Sequence, residues 1–328
     1  MPYRTSIARV AVACAVGGLA CGNISSAPPS DGGPDAGSDA AADMAPLTVA
    51  QACTDLDTSL CGALGACSTF VLQLSFGDLA TCVARNDLAC TIGQAPSGVG
   101  RTTADLEACG RALPAATCPD LIARKLPATC QDPPGTVING AACGSGLQCA
   151  STFCKRQGAA CGVCAPRAGA GESCNGNDQC QPDLVCAGSA CVAPAESGAA
   201  CDDKHPCRDD LYCKSGVCSA KAGPGESCAD TDKACDLVRG VGCNPFTHVC
   251  QNVRVAKKGD PCGIVGGTLV LCEASGLCEG ATLAVPGTCT AAAGDGAACG
   301  NAANGRGCLA PASCANGVCR LPANASCP

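Results

Sequence analysis

Apolar residues recur at gaps of three and four from Cys53 through Leu56, Leu60 and Leu64 to Cys67, which is one face of a helix. Thr48-Val49-Ala50-Gln51 just ahead of that stripe fits a capping box, with the Thr48 hydroxyl and the Gln51 amide each satisfying a backbone donor. Gly62 and Gly65 weaken the helix without ending it. Asp78 is placed to cap a second helix carrying Leu79, Cys82, Val83 and Cys90, and Thr103 a third carrying Leu106, Cys109 and Leu113. Pro119 suits the first turn of a short fourth helix with Leu121 and Ile122. Phe70 and Phe76 fall in the connection between the first two. Eight cysteines (Cys53, Cys61, Cys67, Cys82, Cys90, Cys109, Cys118 and Cys130) lie in this part, enough for four bridges. The pattern predicts a small helical domain over residues 47–135, stapled across its helices.

Past Pro133-Pro134-Gly135 the helical period gives way to a cysteine period. Gly171-Glu172-Ser173-Cys174 is followed by Cys180, Cys186 and Cys191 after five, five and four intervening residues. Nine residues later the pattern restarts at Gly198-Ala199-Ala200-Cys201 and runs through Cys207, Cys213 and Cys218 at identical gaps. Fixed-period self-similarity marks an array of small units. Six openings of the form Gly-x-x-Cys occur, at Cys143, Cys174, Cys201, Cys228, Cys262 and Cys299. The first unit has five cysteines, Cys143, Cys149, Cys154, Cys161 and Cys164. The last three units are looser: Cys228-Cys235-Cys243-Cys250, Cys262-Cys272-Cys278-Cys289 and Cys299-Cys308-Cys314-Cys319, with Cys327 left alone near the end. Gly, Asp, Asn and Ser between the cysteines favour turns and short strands with little helix. The predicted class is therefore a small disulfide-rich fold: a helical, disulfide-stapled domain, then a rod-like array of about six short-strand and turn modules over residues 140–328.

Residues 1–20 read as an export signal, with Arg4 and Arg9 ahead of the short apolar run Val10–Ala20. That run is too short to cross a bilayer as a helix. It ends in Gly18-Leu19-Ala20-Cys21, which resembles the bacterial lipobox and implies Cys21 as a lipid-modified N-terminus; a plain secretory signal is the alternative. Removing Cys14 with the signal and Cys21 by lipidation leaves 34 cysteines, an even number. Residues 21–46 are mostly Ala, Gly, Pro, Ser and Asp, with Asp31, Asp35, Asp39 and Asp43 and no basic side chain. Such a segment forms a disordered acidic tether with a reach of roughly 25–30 Å.

Composition explains why bridges are needed. The chain has 36 Cys, 42 Gly and 22 Pro but no Trp, four Phe and two Tyr, so it lacks the side chains that bury most area. Disulfides substitute by restricting the unfolded chain, at roughly 2–4 kcal/mol each, and they persist only in oxidising compartments. Parity sharpens the expectation. An odd cysteine in the first unit and another at Cys327 leave a bridge across unit borders, an intermolecular Cys327 pair or free thiols. The even total favours bridges that cross borders and interlock the units.

The formal charge of −7 argues against nucleic acid as a partner. Candidate chemistry is sparse. Cys161-Gly162-Val163-Cys164 is the only zinc-knuckle spacing, and no βαβ pattern surrounds it as a thioredoxin-type motif requires. The two histidines, His205 and His248, have no nucleophile elbow to serve. The clusters Asp202/Asp203, Asp209/Asp210 and Asp230/Asp232/Asp236 do not follow calcium-loop spacing. No catalytic residue, metal or cofactor is expected.

The spacing over Gly171–Cys218, with its Gly-Glu-Ser-Cys opening, resembles the Dickkopf-type N-terminal cysteine-rich module. Over residues 47–328 the layout is similar to exported bacterial cysteine-rich lipoproteins that carry such modules. That resemblance implies a scaffold and transfers no functional residue. The expected role is a non-catalytic binding or structural protein at the cell envelope: an outer-membrane lipoprotein, or one at the cell surface or in the periplasm. Its expected partners are the membrane, through a lipid anchor, and an envelope or extracellular protein or glycan. The alternative is a protease inhibitor presenting a disulfide-held loop.

Overall fold

A computed structural model describes residues 47–122, 126–156, 161–229, 234–282, 284–300, 307–322 and 327. The expected signal segment, Cys21 and the tether lie outside them. The first helix, α1 (Val49–Cys67), starts as the sequence predicts, with the Thr48 hydroxyl accepting from Gln51 N at 3.2 Å. The Gln51 side chain turns instead to Asp55, so the reciprocal half of the box is not made. The connection expected around Phe70 and Phe76 is itself a helix, α2 (Thr69–Phe76). Ser68 breaks α1 with an extended backbone (φ −152°, ψ 94°) and re-caps the chain by accepting from Val71 N at 3.1 Å. Asp78 caps α3 (Leu79–Gln94) through Thr81 N at 2.7 Å.

The next helix, α4 (Thr103–Ala112), is capped by Thr102, one residue before the expected Thr103. The choice follows from Asp105, which stands three residues after Thr102 and returns a bond to its backbone N at 2.8 Å, closing a full capping box. A short α5 (Cys118–Ile122) follows. Cys53–Cys90, Cys61–Cys82, Cys67–Cys118 and Cys109–Cys130 staple these helices, using all eight cysteines. Ala52, Cys53, Leu56, Leu106 and Leu113 form the core between α1 and α4. Gly110 lets the two backbones meet, since a Cβ there would lie 3.2 Å from Leu56 Cα.

Each module of the array repeats one four-cysteine frame, counted in the first module without Cys161, which bonds elsewhere. The third and fourth cysteines face each other across a hairpin: Cys154↔Cys164, Cys186↔Cys191, Cys213↔Cys218, Cys243↔Cys250, Cys278↔Cys289 and Cys314↔Cys319. The first cysteine bridges to the third and the second to the fourth. The pairs are Cys143–Cys154 and Cys149–Cys164, Cys174–Cys186 and Cys180–Cys191, and Cys201–Cys213 and Cys207–Cys218. They continue as Cys228–Cys243 and Cys235–Cys250, Cys262–Cys278 and Cys272–Cys289, and Cys299–Cys314 and Cys308–Cys319.

The opening glycine has a defined task. Gly140, Gly171, Gly198, Gly225, Gly259 and Gly296 all have positive φ, from 77° to 92°. That backbone turns each amide onto the carbonyl of the module's last hairpin cysteine, at 2.8 Å in all six modules. Only glycine adopts it without strain. Insertions enlarge the fifth module, where Arg254–Ala256 pairs in parallel with Thr268–Cys272 at the edge of a five-stranded sheet.

The array is not the rod expected from the repeat. The first, fourth, fifth and sixth modules all contact the helical domain. The first meets the α3–α4 connection through Thr136 N to Gly98 O at 2.9 Å and Gln148 Nε2 to Ser97 O at 2.7 Å. The fourth receives a bond from the Ser68 hydroxyl at Val238 O, 2.7 Å, and lays Gly240 against the Phe70 ring. The fifth donates from Ala274 N and Ser275 N to the last carbonyls of α2, Gln73 O and Leu74 O, at 3.0 and 2.7 Å. The sixth is clasped by Arg85 of α3, which pairs with both oxygens of Asp295 at 2.7 and 2.8 Å and also donates to Ala310 O and Leu309 O.

A last disulfide, Cys161–Cys327, joins the supernumerary cysteine of the first module to the one beyond the sixth, 166 residues away. Four of the six modules thus dock on the helical domain, and the stretch of chain that carries the array is closed covalently into a ring. The bridge across unit borders that parity favoured is present, but the other twelve array bridges are internal, so the modules are not interlocked pair by pair.

Candidate binding surface

The residues singled out for chemistry are occupied by structural work. Every cysteine from Cys53 to Cys327 is in a disulfide, so the buried cysteine trios at the centre of each module are cystines and not thiolates able to hold a metal. Cys161 and Cys164, the knuckle pair, go to different partners, Cys327 and Cys149. Asp202 caps its own exposed loop, accepting from Lys204 N, His205 N and the His205 ring at 2.7–2.9 Å. Those bonds, the Lys204 amide first, hold its carboxyl below the usual range. Asp210 pairs with Arg208, which also reaches Glu196. Asp236 accepts from Arg239 N at the start of a one-turn helix, and Asp230 and Asp232 lie outside the described residues.

Two features that the sequence did not flag stand out. The first is a buried charge cluster in the helical domain. Asp57 is 3 % exposed on the α1 face that also carries Cys53, Leu56 and Cys61. Burial, reinforced by Asp87 and opposed by Arg101, pushes its carboxyl up to about 7. Its Oδ2 and two nitrogens of Arg101, Nε and Nη2, have no hydrogen-bond partner. Arg101 spends its remaining contact on Asp132 at 3.0 Å. Asp57 sits four residues after Cys53 and four before Cys61, so helical spacing alone places it on the apolar face.

The second is a loop in the fourth module. Three modules turn their hairpins with two left-handed residues, Gly188-Ser189, Ser215-Gly216 and Asn316-Gly317. The fourth instead carries Asn244-Pro245-Phe246-Thr247-His248 between Cys243 and Cys250. Asn244 is buried and accepts on Oδ1 from Phe246 N at 2.9 Å and Thr247 N at 3.3 Å. Its amide donates to Gly267 O at 3.1 Å, and its carbonyl accepts from His248 N at 2.9 Å. The turn is thus pinned at its base and flanked by two cystines. At its tip Phe246 is 54 % exposed, whereas Phe76, Phe153 and Tyr212 are buried.

Nearby in sequence, a groove of about 350 Å³ lies at the junction of the third and fourth modules. Tyr212, Lys214 and Ser219 of the third module line one side and Glu226 and Ser227 of the fourth the other. Phe246 thus stands exposed on a pinned turn, and the groove carries both signs of charge in Lys214 and Glu226. No helix among the described residues is long and apolar enough to cross a membrane. Seventeen disulfides mark an exported or extracellular protein. No protein-family model, curated protein or solved structure matches this chain.

Proposed function

We propose that the chain is a lipid-anchored binding protein of the cell envelope, carrying a ring of disulfide modules behind an acidic linking segment. The observation that carries this reading is Phe246, an exposed aromatic fixed on a pinned turn in a chain with only six aromatic residues. Aromatic anchors on rigid loops lose little conformational entropy on binding and dominate interface energies. The anchoring half of the proposal rests on Gly18-Leu19-Ala20-Cys21.

Two experiments test the two halves. A photo-crosslinking residue at position 246 should capture a discrete envelope species in intact cells, and the same residue at Asn316 on the sixth module's hairpin should not. Equal capture at both positions, or none at either, would refute the surface. Cys21→Ser should move the protein from the detergent to the aqueous phase, and a wild-type protein already in the aqueous phase would refute the anchor.

A further inference from the structure

The two cysteines that the modules do not need are bonded to each other. Each of the six modules is complete with four cysteines, and Cys161 and Cys327 are additional to that frame. In most bridges at least one residue is buried. Three have no buried partner: Cys67–Cys118, Cys161–Cys327 and Cys299–Cys314. The first of these lies in a domain held by three further bridges. Cys299–Cys314 spans a module also held by Cys308–Cys319 and by the hairpin pairing Ser313–Ala315 with Val318–Arg320. In both cases reduction leaves the sulfurs side by side, so the bridge re-forms at a high effective concentration.

Cys161–Cys327 stands apart from both. Its ends are 166 residues apart in sequence, and it closes neither a module nor a pair of helices. What keeps the ends near each other is the docking of the modules on the helical domain, above all the Arg85 clasp on Asp295, Leu309 and Ala310. Of the seventeen bridges Cys161–Cys327 spans the longest stretch of chain, so closing it costs the most chain entropy.

We infer that Cys161–Cys327 is a thiol–disulfide exchange site at which a dithiol opens the ring of modules without dismantling any of them. The step balances. One thiolate of the dithiol attacks a sulfur of the bridge and expels the other cysteine as thiolate; its second thiolate then resolves the mixed disulfide and expels the remaining cysteine. The dithiol leaves as a disulfide, and its two protons pass to the protein thiols. The consequence is a two-stage release: covalent opening first, with the sixth module then held on the helical domain by the Arg85 clasp. The inference goes beyond the proposed binding role and does not depend on what the array recognises.

The test is timed reduction of the full mature chain with limiting dithiothreitol, and in a parallel arm with a thioredoxin-type dithiol protein. Each is quenched with an alkylating agent and mapped by peptide mass spectrometry. Cys161 and Cys327 should label at least tenfold faster than the other 32 cysteines, and mild oxidation should restore the bridge. Labelling in both arms assigns the site to protein and small dithiols alike, and labelling only with dithiothreitol assigns it to small dithiols. First labelling at Cys67/Cys118 or Cys299/Cys314, or simultaneous labelling of all 34, would overturn the inference. In the opened protein, Arg85→Ala should increase limited proteolysis between residues 307 and 322 several-fold beyond the increase it causes with the bridge intact. If the variant does not fold, the labelling order in the wild type decides alone.

Discussion

Replacing Asp57 by Asn removes an ionisable group from the helical core while keeping its shape, and the outcome should depend on pH. The folded carboxyl titrates at about 7 against 3.8 in its unperturbed form, mainly because burial strips it of water. A group whose folded pKa is raised favours folding fully below its unfolded value and loses that contribution as pH rises through the folded value. A rise of this size, at 1.36 kcal/mol per pKa unit, corresponds to a loss on the order of 4 kcal/mol between pH 4 and pH 8. The Asn side chain has no charge to bury and escapes this loss. Asp57→Asn should therefore match the wild type within about 1 kcal/mol at pH 4 and exceed it by a few kcal/mol at pH 8. Guanidinium unfolding with disulfides intact, followed by far-ultraviolet helical signal at both pH values, measures the difference. An offset that is the same at pH 4 and pH 8, or a variant less stable than the wild type at pH 8, would refute the assignment of a buried, partner-poor carboxyl.

Other expectations follow from the same geometry. Arg85→Ala removes charge-assisted bonds from a side chain only 14 % exposed, and should loosen the sixth module by about 2 kcal/mol in hydrogen exchange at Leu309–Ala312. In the wild type, the hydrogen bonds from Arg85 hold the Asp295 carboxyl below its usual range. The clasp should therefore persist above the ordinary carboxylate range and release as pH falls through the lowered value. Acid that leaves exchange at Leu309–Ala312 unchanged would count against it. Gly198→Ala forces an alanine to φ +82° and should cost about 1–2 kcal/mol, read as faster proteolysis confined to the third module. Uniform loss across the array would show that the modules do not fold as separate frames.

Much of this architecture is legible in the sequence because its signals are local. The stripe from Cys53 to Cys67, the caps at Thr48 and Asp78, and the Gly-x-x-Cys openings each act within a few residues, and each is found where the spacing places it. The miss at α2 is local as well. Thr69–Phe76 is short and rich in aromatic and β-branched residues, which disfavour helix, and it is held by the Ser68 cap and the bond from Ser68 to Val238. What is not legible depends on distant polar contacts. Arg85 meets Asp295 across 210 residues, and no periodicity encodes that meeting. Parity favoured a bridge across unit borders but could not say that Cys161 and Cys327 choose each other. Without that pairing the repeat reads as a rod. Phe246 escaped notice for a related reason: its importance lies in exposure on a pinned turn, and exposure is a property of the folded surface.

Peptic digestion of the unreduced mature protein at acidic pH, where disulfides do not exchange, followed by mapping of every cross-linked peptide, tests the closed ring most directly. It should yield first-to-third and second-to-fourth pairs in all six modules, four pairs within residues 53–130, and one peptide joining Cys161 to Cys327. A free thiol at either Cys161 or Cys327, or a Cys327–Cys327 dimer, would contradict it.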